Sequence, residues 1–251
     1  MQAIDVIMLT KNSEHLLEKC LESIYKNVPV NRLIVVDGFS TDQTLKILQN
    51  TQKRRGNVTI LSANGSRASA RERGIAETKT DWFLFADSDV ILSKNWFSNA
   101  QKNIRGDVGA VWGVNIDVIS DMKDKRVVKL QMLVATDCFN LRGGTHDTLV
   151  RRDLVSDIRI PEQLHTYEDA YIINWIKAKG FKAVVGNDIY CLHHKPPTNW
   201  SPSNAVSGAM LELKCGLVYS KNFRNIIYYP FFTFYWFLQI GLQSVKHLSP
   251  T

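Results

Sequence analysis

Residues 81–89, Asp81-Trp82-Phe83-Leu84-Phe85-Ala86-Asp87-Ser88-Asp89, predict a buried strand that ends in two carboxylates. In an open α/β sheet, ligands bind in the crevice just beyond the carboxyl ends of the strands. Two carboxylates held close together repel each other, and a hard divalent cation such as Mg²⁺ or Mn²⁺ relieves that repulsion. We therefore predict that Asp87 and Asp89 bind a metal ion; a loop that begins with turn-forming aspartates is the alternative.

The composition is that of an ordinary globular protein. The 251 residues are 45% hydrophobic and 22% charged, which is enough for one substantial α/β domain with an appendage. The net charge of +7 favours an anionic partner, either a phosphorylated ligand, an acidic membrane surface or nucleic acid. The sequence has no dense run of Lys and Arg, which weakens a nucleic-acid partner without removing it, and we expect a partner other than nucleic acid.

The cysteines and the N-terminus indicate a reducing compartment. The four cysteines are far apart and form no Cys-x-x-Cys pair, which argues against a zinc ribbon or a thioredoxin-type site. The first residues enter a strand pattern directly and lack the basic and apolar regions of a signal peptide. We therefore expect a cytoplasmic protein with free thiols.

Strand and helix patterns alternate along the first half of the chain. Strands are predicted at 3–9, 32–36, 58–61 and 82–86, with helices between them. Ser40-Thr41-Asp42-Gln43 resembles a capping box, in which Ser40 reaches forward and Gln43 back at the start of the second helix. This alternation predicts a doubly wound, mostly parallel sheet flanked by helices.

Polar residues follow the strands at one edge of this sheet. Thr10 and Asn12 follow the first strand, and Asp37 ends the second, where a carboxylate can accept hydrogen bonds from a nucleotide's base or ribose. Arg67 and Arg71 lie one helical turn apart and would share a face that contacts a diphosphate; a solvated basic face is the alternative. No Gly-x-Gly-x-x-Gly follows the first strand, and the chain has no phosphate-binding P-loop motif.

Four motifs follow one another along the first half of the chain: Leu9-Thr10-Lys11-Asn12-Ser13-Glu14, Val35-Val36-Asp37-Gly38-Phe39-Ser40-Thr41-Asp42, Ala70-Arg71 with Gly74, and Phe85-Ala86-Asp87-Ser88-Asp89. This ordered series resembles the family-2 glycosyltransferases, whose members have the Rossmann-like GT-A fold. The chain departs from the common pattern at Leu9, where the family has Pro, and in the second motif, which usually has two acids before Gly-Ser. These departures leave the choice between uridine and guanosine open. The resemblance implies a nucleotide-diphosphate-sugar site that includes Ser88.

The same resemblance gives roles to residues of the second half. The stretch 143–152 is similar to the strand that lines the sugar pocket in this family. Glu168-Asp169 matches an acidic pair whose Asp acts as catalytic base, which implies that role for Asp169, with Glu168 as a second candidate or an acceptor-binding group. In some relatives a histidine completes the metal shell. Strand alternation would point only one of His193 and His194 inward, and we favour His193. The alternative for Glu168 and Asp169 is that they only stabilise the start of a helix through its dipole. The alternative for His193 is a loop histidine that binds no metal.

Other elements of the second half are predicted from pattern alone. A helix is expected at 95–104 and a strand at 108–114. Two further short strands are expected at 181–185 and 188–192.

We divide the chain into a glycosyltransferase domain, 1–200, and a C-terminal helical segment, 201–251. Residues 226–242 carry no charge, are rich in aromatics and have basic flanks, which suits an interfacial position on a membrane. A helix packed on the core is the alternative. We therefore expect a peripheral or anchored protein at the inner face of the membrane, with a lipid-linked or glycan acceptor.

Together these patterns predict an inverting glycosyltransferase that needs Mg²⁺ or Mn²⁺ and moves a sugar from a nucleotide-diphosphate donor to a hydroxyl or phosphate acceptor. A sugar-phosphate nucleotidyltransferase would share the sheet and the acidic pair, but the N-terminal loop that would bind a triphosphate lacks the expected glycines and lysines. The third hypothesis is a non-catalytic, nucleotide-sugar-binding protein at a membrane.

Overall fold

The computed structural model describes residues 2–118, 145–164 and 168–194, so the segment 201–251 and the domain boundary at 200 lie outside the described residues. The strands are β1 (Ile4–Thr10), β2 (Val30–Asp37), β3 (Val58–Ser62), β4 (Trp82–Ala86), β5 (Val90–Leu92), β6 (Val108–Asp117), β7 (Asp147–Arg151) and β8 (Lys182–His193). The helices are α1 (Glu14–Asn27), α2 (Thr44–Arg55), α3 (Arg67–Glu77), α4 (Trp96–Gln101) and α5 (Glu168–Ala178), with a 3-10 helix at Arg152–Leu154. No helix within these ranges is long and apolar enough to cross a bilayer.

One mixed sheet of eight strands forms the centre, in the order β3-β2-β1-β4-β7-β6-β8-β5. The first four strands in this order are parallel, and α1, α2 and α3 make the crossovers between them. This part agrees with the doubly wound prediction. The carboxyl ends of β1, β2 and β4 therefore meet at one edge of the sheet.

The other half of the sheet differs from the simple parallel pattern. β7 runs antiparallel between β4 and β6, and its register places Asp147 opposite Ala86, just before the acidic pair. The two short strands predicted at 181–185 and 188–192 form the single strand β8, because both parts pair with β6 across a register shift. The short strand β5 was not predicted, and the helix predicted at 95–104 is shorter.

The helices cover both faces of the sheet and bury two apolar layers. One layer packs α1, α2 and α4 on residues such as Met8 and Leu84, and the other packs α3 and α5 on Phe83 and Phe85. Gly74 of α3 lies directly over Ile7, whose side chain would collide with any added Cβ. The glycine therefore lets α3 approach β1 closely, which brings the start of that helix to the strand ends.

The predicted capping box at 40–43 is wrong. Helix α2 begins at Thr44, whose N–H donates to Asp42 Oδ1 at 3.0 Å. Asp42 Oδ2 accepts from the N–H of Glu14, so this one carboxylate caps two helices. Ser40 turns back to Asp37 instead, because a buried carboxylate needs hydrogen-bond donors more than an exposed turn does.

A buried carboxylate also fastens the opposite end of the sheet. Asp5 is fully buried and accepts from Asn31 Nδ2 at 2.7 Å, Arg32 Nη2 at 3.3 Å and the Lys79 N–H at 2.7 Å. Arg32 also donates to the carbonyl of Glu77. This cluster joins β1, β2 and the end of α3 far from the acidic pair.

Replacing Asp5 with Ala should therefore lower the free energy of unfolding by about 3–5 kcal/mol, since it leaves buried donors without an acceptor. Urea denaturation measures the change, with Asp81→Ala as the control because Asp81 is exposed nearby. An equal loss of stability in the two variants would show that the hydrogen bonds of Asp5 stabilise the fold no more than an exposed carboxylate does.

Candidate active site

The loops after β1 and β2 are joined through Asp37. Its carboxylate is buried, with 1% of the residue exposed, and accepts from Thr10 Oγ1 at 2.8 Å and Ser40 Oγ at 2.6 Å on Oδ1. Oδ2 accepts from the Ser40 N–H at 2.8 Å. The structure thus brings Thr10 and Asp37 together as predicted, with the side chain of Asp37 occupied in shaping the loop.

Asn12 joins the same two loops from the outside. Its N–H donates to Ser40 Oγ at 2.9 Å, and its Oδ1 accepts from the Thr41 N–H at 2.9 Å. The backbone of Asn12 is left-handed, with φ of 50°, a conformation that Asn tolerates better than most residues. Glu14 adds a further link, because its carboxylate accepts from the Gln43 N–H at 2.8 Å.

Arg71 is the centre of the acidic site. The residue is only 3% exposed, and its Nη2 donates to Asp87 Oδ1 at 2.9 Å while its Nε lies 3.7 Å from Glu168 Oε1. Its guanidinium carbon lies 4.9 Å from the centre of the Phe85 ring. Alternation along β4 explains the geometry: Phe83, Phe85 and Asp87 point to the face that carries α3 and α5.

The positions of Arg67 and Arg71 differ from the prediction that the two arginines share one face of the helix. Arg67 begins α3 and is exposed, whereas Arg71 is turned inward, so a solvated basic face is wrong for Arg71. Among the described residues, Arg71 Nε and Nη1 have no hydrogen-bond partner. Buried N–H groups of this kind are normally paired, and here they lie where the acidic residues of two elements meet.

The two carboxylates that face Arg71 differ in protonation. Burial would raise the pKa of Asp87, but Arg71, His146 and His193 outweigh it and hold that pKa below its usual value. Burial raises the pKa of Glu168 to about 7, because at 3.7 Å the attraction of Arg71 compensates for lost hydration only in part. Asp87 is therefore charged at neutral pH, while Glu168 is partly protonated.

Asp169 follows Glu168 in the first turn of α5 but has a different environment. It is half-buried, and its Oδ1 accepts from the Ala170 N–H at 2.7 Å. The neighbouring Glu168 is 4% exposed and points to Arg71. Of the predicted acidic pair, Asp169 is thus the member that solvent, and hence an acceptor, can reach.

Asp89 is placed beside His193. Their Oδ2 and Nε2 atoms are 3.1 Å apart, and antiparallel pairing of β5 with β8 brings them together. His193 is 5% exposed and His194 is half-buried, so His193 is the more deeply buried of the two, while its role as a metal ligand stays a prediction. The rings of His146 and His193 have centroids 4.9 Å apart.

Asp89 and His193 fit a divalent cation as neighbouring ligands. Adjacent ligands of an octahedral ion, each at about 2.1 Å, lie about 3.0 Å from each other. Within residues 2–118, 145–164 and 168–194, no three His, Cys, Asp or Glu side chains gather as a metal site. The predicted trio with Asp87 is thus not assembled, because Asp87 binds Arg71.

Ser88 lies between the two aspartates and reaches the loop after β1. Its hydroxyl is 2.9 Å from that of Ser13, within hydrogen-bonding distance. The buried Cys20 thiol donates to the carbonyl of Asp87 at 3.3 Å. The segment after β4 is therefore held through a backbone contact to α1 and a side-chain contact to the residue just before that helix.

A buried carboxyl that the sequence analysis missed lies on the other face of the sheet. Asp147 is 1% exposed, accepts from Trp96 Nε1 at 2.7 Å, and contacts Cys191. An added Cβ at Gly113 would collide with it. Burial raises its pKa to about 8. Alternation could place Asp147 on one face of β7, but no pattern revealed that Trp96 would cover that face.

Comparison with known proteins identifies the family and supports the fold. The sequence model of the family described as glycosyl transferase family 2 matches residues 5–162. Poly(ribitol-phosphate) beta-glucosyltransferase of Bacillus spizizenii is 28% identical over 124 residues, which is 45% of this chain and 19% of that protein. Poly(ribitol-phosphate) beta-N-acetylglucosaminyltransferase TarS of Staphylococcus aureus is 29% identical over 181 residues, 67% of this chain and 31% of TarS. The alignments cover 19% to 39% of the length of such relatives.

Solved structures show the same architecture. The mannosyltransferase PcManGT from Pyrobaculum calidifontis, in complex with GDP-Man and Mn²⁺, has a TM-score of 0.63 at 21% identity, over 78% of this chain and 58% of that one. TarS residues 1–349 from S. aureus with UDP-GlcNAc has a TM-score of 0.60 at 22% identity, over 81% and 63%. The sheet and flanking helices are thus those of GT-A glycosyltransferases, and the predicted fold of the described residues is confirmed.

The buried carboxyl predicts a particular pH dependence of stability. The raised pKa means that Asp147 keeps its proton in the folded state to about pH 8, whereas the unfolded chain releases it near 3.8. The free energy of unfolding should therefore fall as pH rises between these values. In Asp147→Asn, which is always neutral, the part of this fall that Asp147 contributes should be absent.

Urea denaturation at about pH 5 and about pH 9 measures the difference between the variant and the original chain. The variant should gain relative stability at the higher pH, whereas Asp188→Asn, an exposed control, should not. Parallel pH dependence of Asp147→Asn and the original chain would contradict a protonated buried carboxyl.

Proposed function

Because the chain belongs to glycosyl transferase family 2, whose sequence model matches residues 5–162, we propose that it transfers a sugar from a nucleotide-diphosphate donor with inversion at the anomeric carbon. The observation that carries this proposal is the contact of Arg71 with both Asp87 and Glu168. It brings an acid that follows β4 and the first residue of α5 together around one arginine. Family membership argues against a nucleotidyltransferase and a non-catalytic protein.

The donor would lie across the carboxyl ends of β2, β1 and β4. Its base and ribose would lie at Thr10, Asn12 and Asp37, and its diphosphate toward Ser88 and the arginines of α3, of which Arg67 is exposed. Arg71 would support the diphosphate site through Asp87, and its Nε and Nη1 have no hydrogen-bond partner among the described residues. Related structures hold GDP-Man or UDP-GlcNAc, which supports a sugar nucleotide as donor and leaves both bases open.

A divalent cation, Mg²⁺ or Mn²⁺, would be held by Asp89 and His193 together with the donor's phosphates. Such ions are often bound through one or two carboxylates plus substrate phosphates, so the small protein ligand set fits. When bound, the ion supplies positive charge that stabilises the departing diphosphate. Asp87, which is charged but tied to Arg71, would orient this site and contact the ion or its water.

We assign the catalytic base to Asp169. Its carboxylate takes the proton of the acceptor hydroxyl while that oxygen bonds to the anomeric carbon, on the face opposite the diphosphate. The bond from the anomeric carbon to the diphosphate breaks at the same time, and the nucleoside diphosphate leaves with the electron pair. Glu168, buried against Arg71, holds the start of α5 in place. With a phosphate acceptor, which is already an anion, Asp169 would only position it.

The acceptor we propose is a polymer of polyol phosphates or a related lipid-linked glycan. Relatives with similar sequence are named poly(ribitol-phosphate) glycosyltransferases, and another is a teichoic acid poly(glycerol phosphate) polymerase from Staphylococcus epidermidis. The net charge of +7 suits such an anionic acceptor. The uncharged aromatic stretch 226–242, with its basic flanks, would keep the enzyme at the inner membrane face, where lipid-linked glycans are built.

Replacing Asp169 with Asn should lower kcat by about 10²–10⁴-fold, because a positioned base contributes that much. The dissociation constant of the donor should stay the same, since the base touches the acceptor. Steady-state transfer and calorimetric binding measure the two quantities, and Asp153→Asn, an exposed carboxylate, is the control. Transfer by Asp169→Asn at the original rate would remove Asp169 from the role of base.

Neighbouring histidines allow a matched test of the metal site. His193→Ala should weaken Mn²⁺ binding in the presence of UDP or GDP by at least about tenfold, because it removes a ligand. His194→Ala should leave the affinity unchanged. Electron paramagnetic resonance of free Mn²⁺ gives both constants, and equal affinity in the two variants would exclude His193 as a ligand.

A further inference from the structure

Phe39 is the large hydrophobic residue that stands out at the surface of the described part of the chain, with 58% of it exposed. It follows Gly38 in the loop after β2. Its φ of 58° lies in the left-handed region, where bulky residues are true outliers. Exposure and backbone strain both cost free energy, and strained residues cluster at ligand-binding sites.

Hydrogen bonds fix the backbone on both sides of Phe39. The Gly38 N–H donates to the Thr10 carbonyl at 2.8 Å, and Ser40 is held by Asp37 and Asn12. The stem of Lys11 lies against Gly38. The ring of Phe39 is therefore carried by a rigid loop among the residues that the donor's nucleoside would meet.

We propose that Phe39 stacks on the nucleobase of the donor and so sets the affinity for the nucleoside half of the substrate. This inference rests on the proposed function. Every nucleobase offers a flat π-face to an aromatic ring, so Phe39 would accept either uracil or guanine. The ring thus adds affinity, while the polar loop around it would distinguish the bases.

The position of Phe39 relative to the acidic site supports a contact of its ring with the base of the donor, not with the diphosphate or the sugar. β2 is two strands away from β4, about 10 Å along the sheet. A nucleotide whose diphosphate lies at Asp87 and Asp89 would extend along this edge toward β2. The sugar and the acceptor are expected on the opposite side, toward α5 and Asp169.

The test compares nucleotides with a ligand that has no base. Phe39→Asn removes the ring but tolerates the left-handed backbone, and Phe39→Trp keeps an aromatic face. In Phe39→Asn, the affinities for UDP and GDP with Mn²⁺ should fall by roughly 5- to 150-fold, the range of one base–aromatic stack. The affinity for pyrophosphate with Mn²⁺ should not change. Phe39→Trp should bind nucleotides at least as well as the original chain, and the bound nucleotide should quench the fluorescence of the added Trp.

Four results would overturn the stacking role. Unchanged UDP and GDP affinities in Phe39→Asn, or an equal loss for pyrophosphate, would show that the ring makes no base contact. A loss confined to the acceptor's KM would assign the ring to the acceptor. Failure of the original chain to bind any nucleoside diphosphate would overturn the proposed function as well, which separates the two failures.

Discussion

The described structure depends on one buried cation. Arg71 is taken out of water between the end of β4 and the start of α5, and it lies against Asp87, Glu168 and the ring of Phe85. A buried guanidinium is costly unless charges of opposite sign surround it. The acids of two distant segments are therefore held near it, and with them the edge of the sheet where the strands end. The proposed donor site and the proposed acceptor site are joined by this contact.

The same contact explains why adjacent acids behave differently. Glu168 is buried against Arg71, whereas Asp169 is half-exposed on the next position of the helix. Asp87 is tied to Arg71, whereas Asp89 turns to His193. Each pair thus divides into one residue that maintains the architecture and one that remains available to a ligand. For Glu168 and Asp169 the division follows from side-chain direction, since neighbouring residues of a helix point different ways. For Asp87 and Asp89 it follows from the end of β4 at Ala86, after which Asp89 leads into β5 and its pairing with β8.

Much of the first half could be predicted because its signals are local. The strand patterns that became β1 to β4, the helices between them and the meeting of Thr10 with Asp37 follow from periodicity and from the geometry of parallel sheets. Long-range pairing could not be predicted. The insertion of β7, the joining of 181–185 and 188–192 into β8, and Trp96 over Asp147 each depend on which segments pack together. Helical spacing gave Arg67 and Arg71 a common face, but not which of them the sheet would bury.

The hydrogen bonds between the loops after β1 and β2 have a further consequence. Asn12, Glu14 and Asp42 each accept a hydrogen bond from an N–H group of the other loop, and the buried Asp37 also joins the two loops. Loops ordered in this way have already lost their conformational entropy during folding. A nucleoside bound there as proposed would meet a preorganised surface, and little of its interaction energy would be consumed in arranging the protein.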